Sequence, residues 1–244
     1  IYKGNEHFNT VLYEGTGSLL TSPSVGFQPD WTWIKNRDDT DAHHLQDAVR
    51  GNKTFSLPST SDEGDSGGGW VTEIADGFTA DANGPINTSS ESFVAWCWKG
   101  ANGTAANDDG SIDSTVSVNA SAGFSIVSWT GSGSAATIGH GLGATPDFIY
   151  VKNRDDTSSH LIRHGSLAVN GTMILEGTSN ATGLAATDYW NTASETRNST
   201  VFSVSGNNES NGSTDAMIAY CFSSVAGYSK VGYFTGNGNA NGPL

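Results

Sequence analysis

The hexapeptide IKNRDD at Ile34–Asp39 returns as VKNRDD at Val151–Asp156, and this repetition constrains the fold more than any property of the composition. Sliding the chain against itself by 117 residues lays QPDWTWIKNRDDTDAHHL (Gln28–Leu45) over TPDFIYVKNRDDTSSHLI (Thr145–Ile162). Upstream, FNTVLYEGTGS from Phe8 matches FSIVSWTGSGS from Phe124; downstream, SFVAWCWKG ending at Gly100 matches AMIAYCFSS ending at Ser224. Markers recurring in the same order at such a long period describe a whole domain and not one turn of a solenoid. A third start, GYSKVGYFTGNG from Gly227, parallels GFSIVSWTGSG from Gly123 and reaches Leu244 before any Pro-Asp marker. The expected organisation is one module over 1–100, a linker over 101–122, a second module over 123–225 and the beginning of a third over 226–244. The chain opens without Met and without a basic region followed by an apolar core, so it reads as a piece or processed product of a longer protein and not as a secretion leader.

The secondary structure expected within each module is strand. DWTWIKN and DFIYVKN are rich in β-branched and aromatic residues, follow a Pro and close in Asp-rich turns. SFVAWCW and AMIAYCF are unbroken apolar runs of strand length, the pattern of a central strand covered on both faces. TFSLPST, GTMILEGTS, GFTADAN and TVFSVSGN are shorter strand candidates, and HHLQDAVRG is a weak helical one. The fold class is therefore all-β, with two tandem jelly-roll-like β-sandwich modules related by internal duplication.

Side chains alternate across a strand, so the two copies can be compared face by face. Phe93, Ala95 and Cys97 share one face and match Met217, Ala219 and Cys221; the other face carries Val94, Trp96 and Trp98, matched by Ile218, Tyr220 and Phe222. The first face suits a sandwich core and the second, aromatic face suits a further packing surface, covered by the module itself, by its neighbour or by another subunit. The two cysteines fall at equivalent core positions in separate modules and are read as buried free thiols.

A net charge of −14 repels any ligand held through phosphates, which excludes nucleic acid as the expected partner. No run of 18 apolar residues supplies a membrane-spanning helix. No G-x-S-x-G elbow or phosphate-cradling loop is present, and the Gly-rich pieces DSGGGW and GSGSAATIGHGLG lack the Lys and helix that such a loop needs. Asp108, Asp109 and Asp113 in NDDGSIDS form a candidate Ca²⁺ loop, but its spacing departs from the helix-flanked pattern and a solvated linker is the plainer reading. The turn NRDDTDAHH, with Asp38, Asp39, Asp41, His43 and His44, is weighed between metal binding and Asp side chains capping a tight connection; the second is preferred because the second copy lacks Asp41 and His44. Lys35, Arg37, Lys152 and Arg154 are expected to neutralise the neighbouring Asp pairs. Among the aromatics, Trp31, Trp33 and Trp129 are assigned to packing, whereas Trp70, Tyr189 and Trp190 lie in Gly, Ser and Thr surroundings and are the expected glycan-recognition residues.

The markers VGFQPDWTWIKNRD, SFVAWCWKG, NDDGSIDSTVSVNASAGFSIVSWTGSG, HGLGATPDFIYVKNRD and GYSKVGYFTGNG together resemble a family of tandem β-domain proteins of tailed bacteriophages, notably of marine and cyanobacterial hosts. The resemblance spans essentially the whole chain. It implies a virion structural protein of the tail-fibre or surface-appendage type, displayed outside the particle, usually with a third copy following, and it brings no catalytic residues. The expected function is thus non-enzymatic, with no cofactor beyond the Ca²⁺ candidate. The expected partners are copies of the chain itself, as a trimer covering the aromatic faces, other virion proteins and host-surface glycan. The alternatives are a secreted carbohydrate-binding module or carbohydrate-active enzyme, and a self-assembling surface or filament protein.

Overall fold

A computed structural model describes residues 3–51, 53–65, 70–82, 84–169, 171–178, 188–240 and 242. The strands, numbered in chain order, form two large antiparallel sheets and two small ones. Sheet 1 has the order β1-β9-β3-β4-β5-β6, with β1 at Phe8–Glu14, β9 at Ser92–Trp98, β3 at Trp31–Asn36, β4 at His43–Asp47, β5 at Lys53–Leu57 and β6 at Gly64–Asp65. Sheet 2 has the order β10-β11-β12-β18-β14-β15-β16, with β10 at Ala105–Asn107, β11 at Ser114–Asn119, β12 at Phe124–Thr130, β18 at Ala216–Phe222, β14 at Phe148–Asn153, β15 at Leu161–His164 and β16 at Met173–Ile174. Both large sheets contain a run of five strands in which a late strand pairs between two early ones, β1-β9-β3-β4-β5 in sheet 1 and β12-β18-β14-β15-β16 in sheet 2. The small sheets are β2-β8-β7, from Leu20–Thr21, Gly77–Ala80 and Val71–Ile74, and β13-β17, from Ala136–Gly139 and Val201–Val204.

The protein is an all-β sandwich, as the strand patterns require, built from three apolar cores. One face of sheet 1 packs on β2-β8-β7 through Val11, Tyr13, Ile34, Phe93, Ala95 and Cys97. The corresponding face of sheet 2 packs on β13-β17 and on the segment carrying Tyr189 and Trp190. The third core lies between the large sheets, where Trp31, Leu45, Phe55 and Leu57 of sheet 1 meet Phe124, Ile126, Tyr150, Ile162, Ile218 and Tyr220 of sheet 2. Apolar runs without polar alternation have this consequence: β9 and β18 carry apolar side chains on both faces. Both cysteines are buried free thiols, and burial pushes the Cys97 thiol up to about 12.

Several expectations are corrected. Residues 101–122 are not a free connector: β10 and β11 form a hairpin on the edge of sheet 2, and Asn119 Nδ2 bonds the Lys99 carbonyl oxygen (3.0 Å) and His7 Nδ1 (2.9 Å). HHLQDAVRG is strand β4 followed by a turn, because pairing with β3 and β5 outweighs its weak helical pattern. Of the coverings weighed for the aromatic face of sheet 2, the neighbouring sheet 1 supplies one, burying Ile218 and Tyr220 and leaving Phe148 and Phe222 partly exposed.

The repeated turn also works differently from the charge pairing expected of it. Lys35 Nζ donates to the carbonyl oxygens of Asn36 and Asp39, and Lys152 Nζ to those of Asp156 (3.0 Å) and Thr60 (3.3 Å) and to Ser158 Oγ. The carboxylates accept backbone donors instead: Asp38 Oδ2 takes the Ser92 N–H (2.6 Å) and Asp155 Oδ2 the Ala216 N–H (2.7 Å), each opening the next central strand. Arg154 pairs with Glu63 (2.7 Å), tying the turn after β14 to the loop between β5 and β6. Ser158 N–H and Glu63 N–H close the same seam onto the carbonyls of Thr60 and Arg154.

Candidate functional site

Sheet 1 covers sheet 2 unevenly, and the remainder of its aromatic face is where a site arises. Trp31 is 2% exposed and sits at the boundary, with its ring 4.3 Å from Tyr220 and 4.4 Å from Trp98. Cross-strand register continues the face outward from it. Trp31 lies opposite Trp98, Trp33 opposite Trp96, Thr10 opposite Trp96 and Phe8 opposite Trp98. Residues opposite one another in an antiparallel ladder share a face, so these side chains form one surface. Trp33, Trp96 and Trp98 are partly exposed, whereas Tyr150 and Tyr220, the sheet 2 counterparts of Trp33 and Trp96, are buried.

Two hollows open along this surface and share Trp33 and His43. One of about 320 Å³ is lined by Trp33, His43, Trp96 and Trp98; the next, of about 280 Å³, adds Leu57, Pro58, Leu175 and Glu176. Ligand sites of this size combine a mainly apolar lining with a few placed polar groups. The rings are not parallel: Trp33 and Trp96 meet edge to face at 80° and 6.3 Å, giving a stepped platform.

Hydrogen bonds fix the polar groups. Trp33 Nε1–H donates to His43 Nδ1 (2.8 Å), so the neutral imidazole carries its proton on Nε2. Burial lowers the His43 pKa, which favours that neutral form. Glu176 accepts the His160 N–H on both oxygens (3.2 Å each), and burial raises its pKa. A carboxylate with about four acceptor positions keeps room for a ligand hydroxyl. Among the described residues lining the two hollows, Glu176 is the one carboxylate.

The residues singled out by sequence lie elsewhere. Tyr189 is 7% and Trp190 1% exposed, both in the core behind sheet 2, where Trp190 Nε1–H donates to Thr172 Oγ1 (2.7 Å). They anchor a polar segment onto the sheet, so they offer no recognition surface. Trp70 is half-buried, standing edge-on to His44 at 4.8 Å and against the core between sheet 1 and β2-β8-β7. Asp108, Asp109 and Asp113 are exposed around the turn between β10 and β11, and Asp109 bonds the Asn107 side chain. No group of three His, Cys, Asp or Glu side chains placed to hold a metal occurs among the described residues. Asp38, Asp39 and Asp41 cap their turn through Ser92, Thr40 and Asn36, while His43 and His44, adjacent on β4, point to opposite faces. Sequence reasoning missed the groove because Trp33 and Trp96 carry strand signals identical to those of a buried face. The register that joins them to His43 and Glu176 requires pairings distant in sequence.

A family model described as Domain of unknown function (DUF7483) matches residues 3–244, and the chain belongs to that family. No curated protein and no solved structure matches.

Proposed function

We propose that this member of the DUF7483 family is a non-enzymatic β-sandwich protein of a phage particle surface, and that it attaches to saccharide through the groove of Trp33, His43, Trp96 and Trp98. The observation that carries the reading is the open part of the aromatic face, a stepped platform of partly exposed rings with one imidazole donor and one carboxylate acceptor. Sugar rings present apolar C–H faces and hydroxyl edges, which suit ring stacking flanked by a few polar groups. The single carboxylate supports binding over glycoside cleavage, which uses two facing carboxyl groups. The virion setting rests on the resemblance of the repeat markers to tandem phage β-domains, and duplicated modules in one chain suit a display element. The matching strand order of the two sheets supports that duplication.

The test is a binding screen on immobilised microbial polysaccharides and their oligosaccharide fragments, read by tryptophan fluorescence titration. Wild type is expected to bind at least one of them, with Trp96→Ala weakening binding about tenfold, the loss of roughly 1.4 kcal/mol of stacking. Trp70→Ala, off the groove, is expected to leave affinity unchanged. Binding that survives in Trp96→Ala, or its absence across the panel, would sink the saccharide reading.

A further inference from the structure

The outer edge of sheet 1 is open where the equivalent edge of sheet 2 is filled. In sheet 2, β11 pairs along β12, with Val116 opposite Val127 and Val118 opposite Ser125, before β10 closes the sheet. In sheet 1, β1 is the terminal strand. The Lys99 N–H bonds the His7 carbonyl and the Gly15 N–H bonds the Glu91 carbonyl, so the odd-numbered residues of β1 face β9. The backbone groups of Phe8, Thr10, Leu12 and Glu14 then face outward, as those of Phe124, Ile126 and Ser128 do toward β11, with the Thr10 N–H held by its neighbour Asn9 Oδ1 (3.0 Å), a local bond that an added strand would exchange for a ladder bond. Leu12 is 59% exposed on this edge.

A second segment carries unpaired strand character. Residues 230–236, KVGYFTG, are non-helical and unladdered, although Tyr233 and Phe234 are each 77% exposed. Among the described residues, the backbone there is held by the Val231 N–H donating to Ser224 Oγ (3.1 Å), and none of its amides pairs with a strand. Val231 and Tyr233 alternate as Val127 and Trp129 do on β12, the strand whose sequence this segment parallels.

We propose that this segment of one copy adds to the β1 edge of a second copy, assembling chains head to tail through strand pairing. The antiparallel register we assign sets Lys230 opposite Leu12, Gly232 opposite Thr10 and Phe234 opposite Phe8. Phe234 then meets Phe8 as a cross-strand aromatic pair, Lys230 lies diagonal to Glu14, and Val231 extends the sheet 1 core beside Val11 as Val116 does beside Val127. The added strand continues an existing sheet and fills the position that β11 fills in sheet 2. An open edge of this kind is a template for another chain, and a contact between two different surfaces propagates or closes into a ring.

Disulfide trapping tests it. Thr10→Cys and Gly232→Cys variants are mixed under mild oxidation; Gly232 has open space for a side chain, and the two native thiols are buried. The expected result is a linked heterodimer whose mass spectrum shows residues 10 and 232 joined, with little product between Thr10→Cys and Ser132→Cys. Light scattering on wild type should show mass rising with concentration, and Phe234→Asp should lower it. A concentration-independent monomer with no heterodimer overturns the proposal. So does a Thr10→Cys/Gly232→Cys double variant that closes within one chain at high dilution.

Discussion

Arg50 joins the two sheets at the level of single atoms. Its side chain is fully buried, ion-paired to Asp47, bonded through Nη2 to the Leu45 carbonyl oxygen and the Tyr220 hydroxyl (3.1 Å each), and stacked over Phe55 at 4.0 Å. Tyr220 in turn donates to Asp47 Oδ2 (2.6 Å), so a residue of β18 completes an ion pair that belongs to sheet 1. Removing one member strands a buried charge, which costs more than the intact pair contributes. Arg50→Met is expected to lower stability by about 3–5 kcal/mol, and Tyr220→Phe by about 1.5–3 kcal/mol, both read from guanidinium unfolding. Wild-type stability in either variant would mean that the sheets do not meet through this pair. None of this was legible in the sequence, where Asp47 and Arg50 sit in a segment with a faint helical pattern and Tyr220 is 170 residues away.

At the scale of elements, the repeated KNRDD turn was legible as a turn, but its central residue was not. Asn36 and Asn153 are its buried hubs, 2% and 0% exposed. Asn36 Oδ1 accepts the turn amides of Asp38 and Asp39, and its Nδ2 donates to Asp41 and Glu91; Asn153 Oδ1 accepts the Asp155 amide, and its Nδ2 donates to the Asn208 carbonyl oxygen and Asp215. The charged neighbours drew attention because charge is visible in a sequence, whereas burial is decided by what packs above. Asn153→Ala should cost about 2–3 kcal/mol through the donors and acceptors it leaves unmet, while Arg37→Ala, on an exposed side chain, should change the denaturation midpoint little. Equal effects of the two would contradict the hub assignment. The strands β3, β9, β14 and β18 were legible because their runs are long and aromatic. The hairpin of β10 and β11 was not, since its Asn, Asp, Gly and Ser content resembles a solvated connector until β12 offers it an edge.

For the whole molecule, burial of titratable groups sets how stability follows pH. Burial pulls His44 and His160 down to about 4. His160 is held neutral between the Tyr150 hydroxyl, which donates to Nδ1, and the Ser59 carbonyl oxygen, which accepts from Nε2–H. Between pH 4 and 6.5 the unfolded chain therefore binds protons that the folded chain does not, so this contribution is complete above 6.5 and is lost as pH falls toward 4. Glu73 runs the other way: burial raises it to about 7, so its contribution is complete below 4.5 and is lost as pH rises through 7. With His43, His44, His140 and His160 all lowered by burial against Asp30, Glu73 and Glu176 raised by it, the urea midpoint should fall on acidification from pH 6.5 to 4.5, and Glu73→Gln should raise it at pH 8 and steepen the fall. A flat profile would contradict the buried neutral histidines. One family domain spans both large sheets, in keeping with their burying each other's aromatic side chains. The two large sheets use that face differently: Tyr150 and Tyr220 of sheet 2 are buried, while Trp33 and Trp96 of sheet 1 are partly exposed. Hydroxyl-radical footprinting with residue-level mass spectrometry tests this most directly. Trp33 and Trp96 should oxidise much faster than Trp31, Tyr150 and Tyr220. Tyr220 and Trp31 reacting as fast as Trp96, or Trp33 and Trp96 protected to the same degree as Trp31, would contradict it.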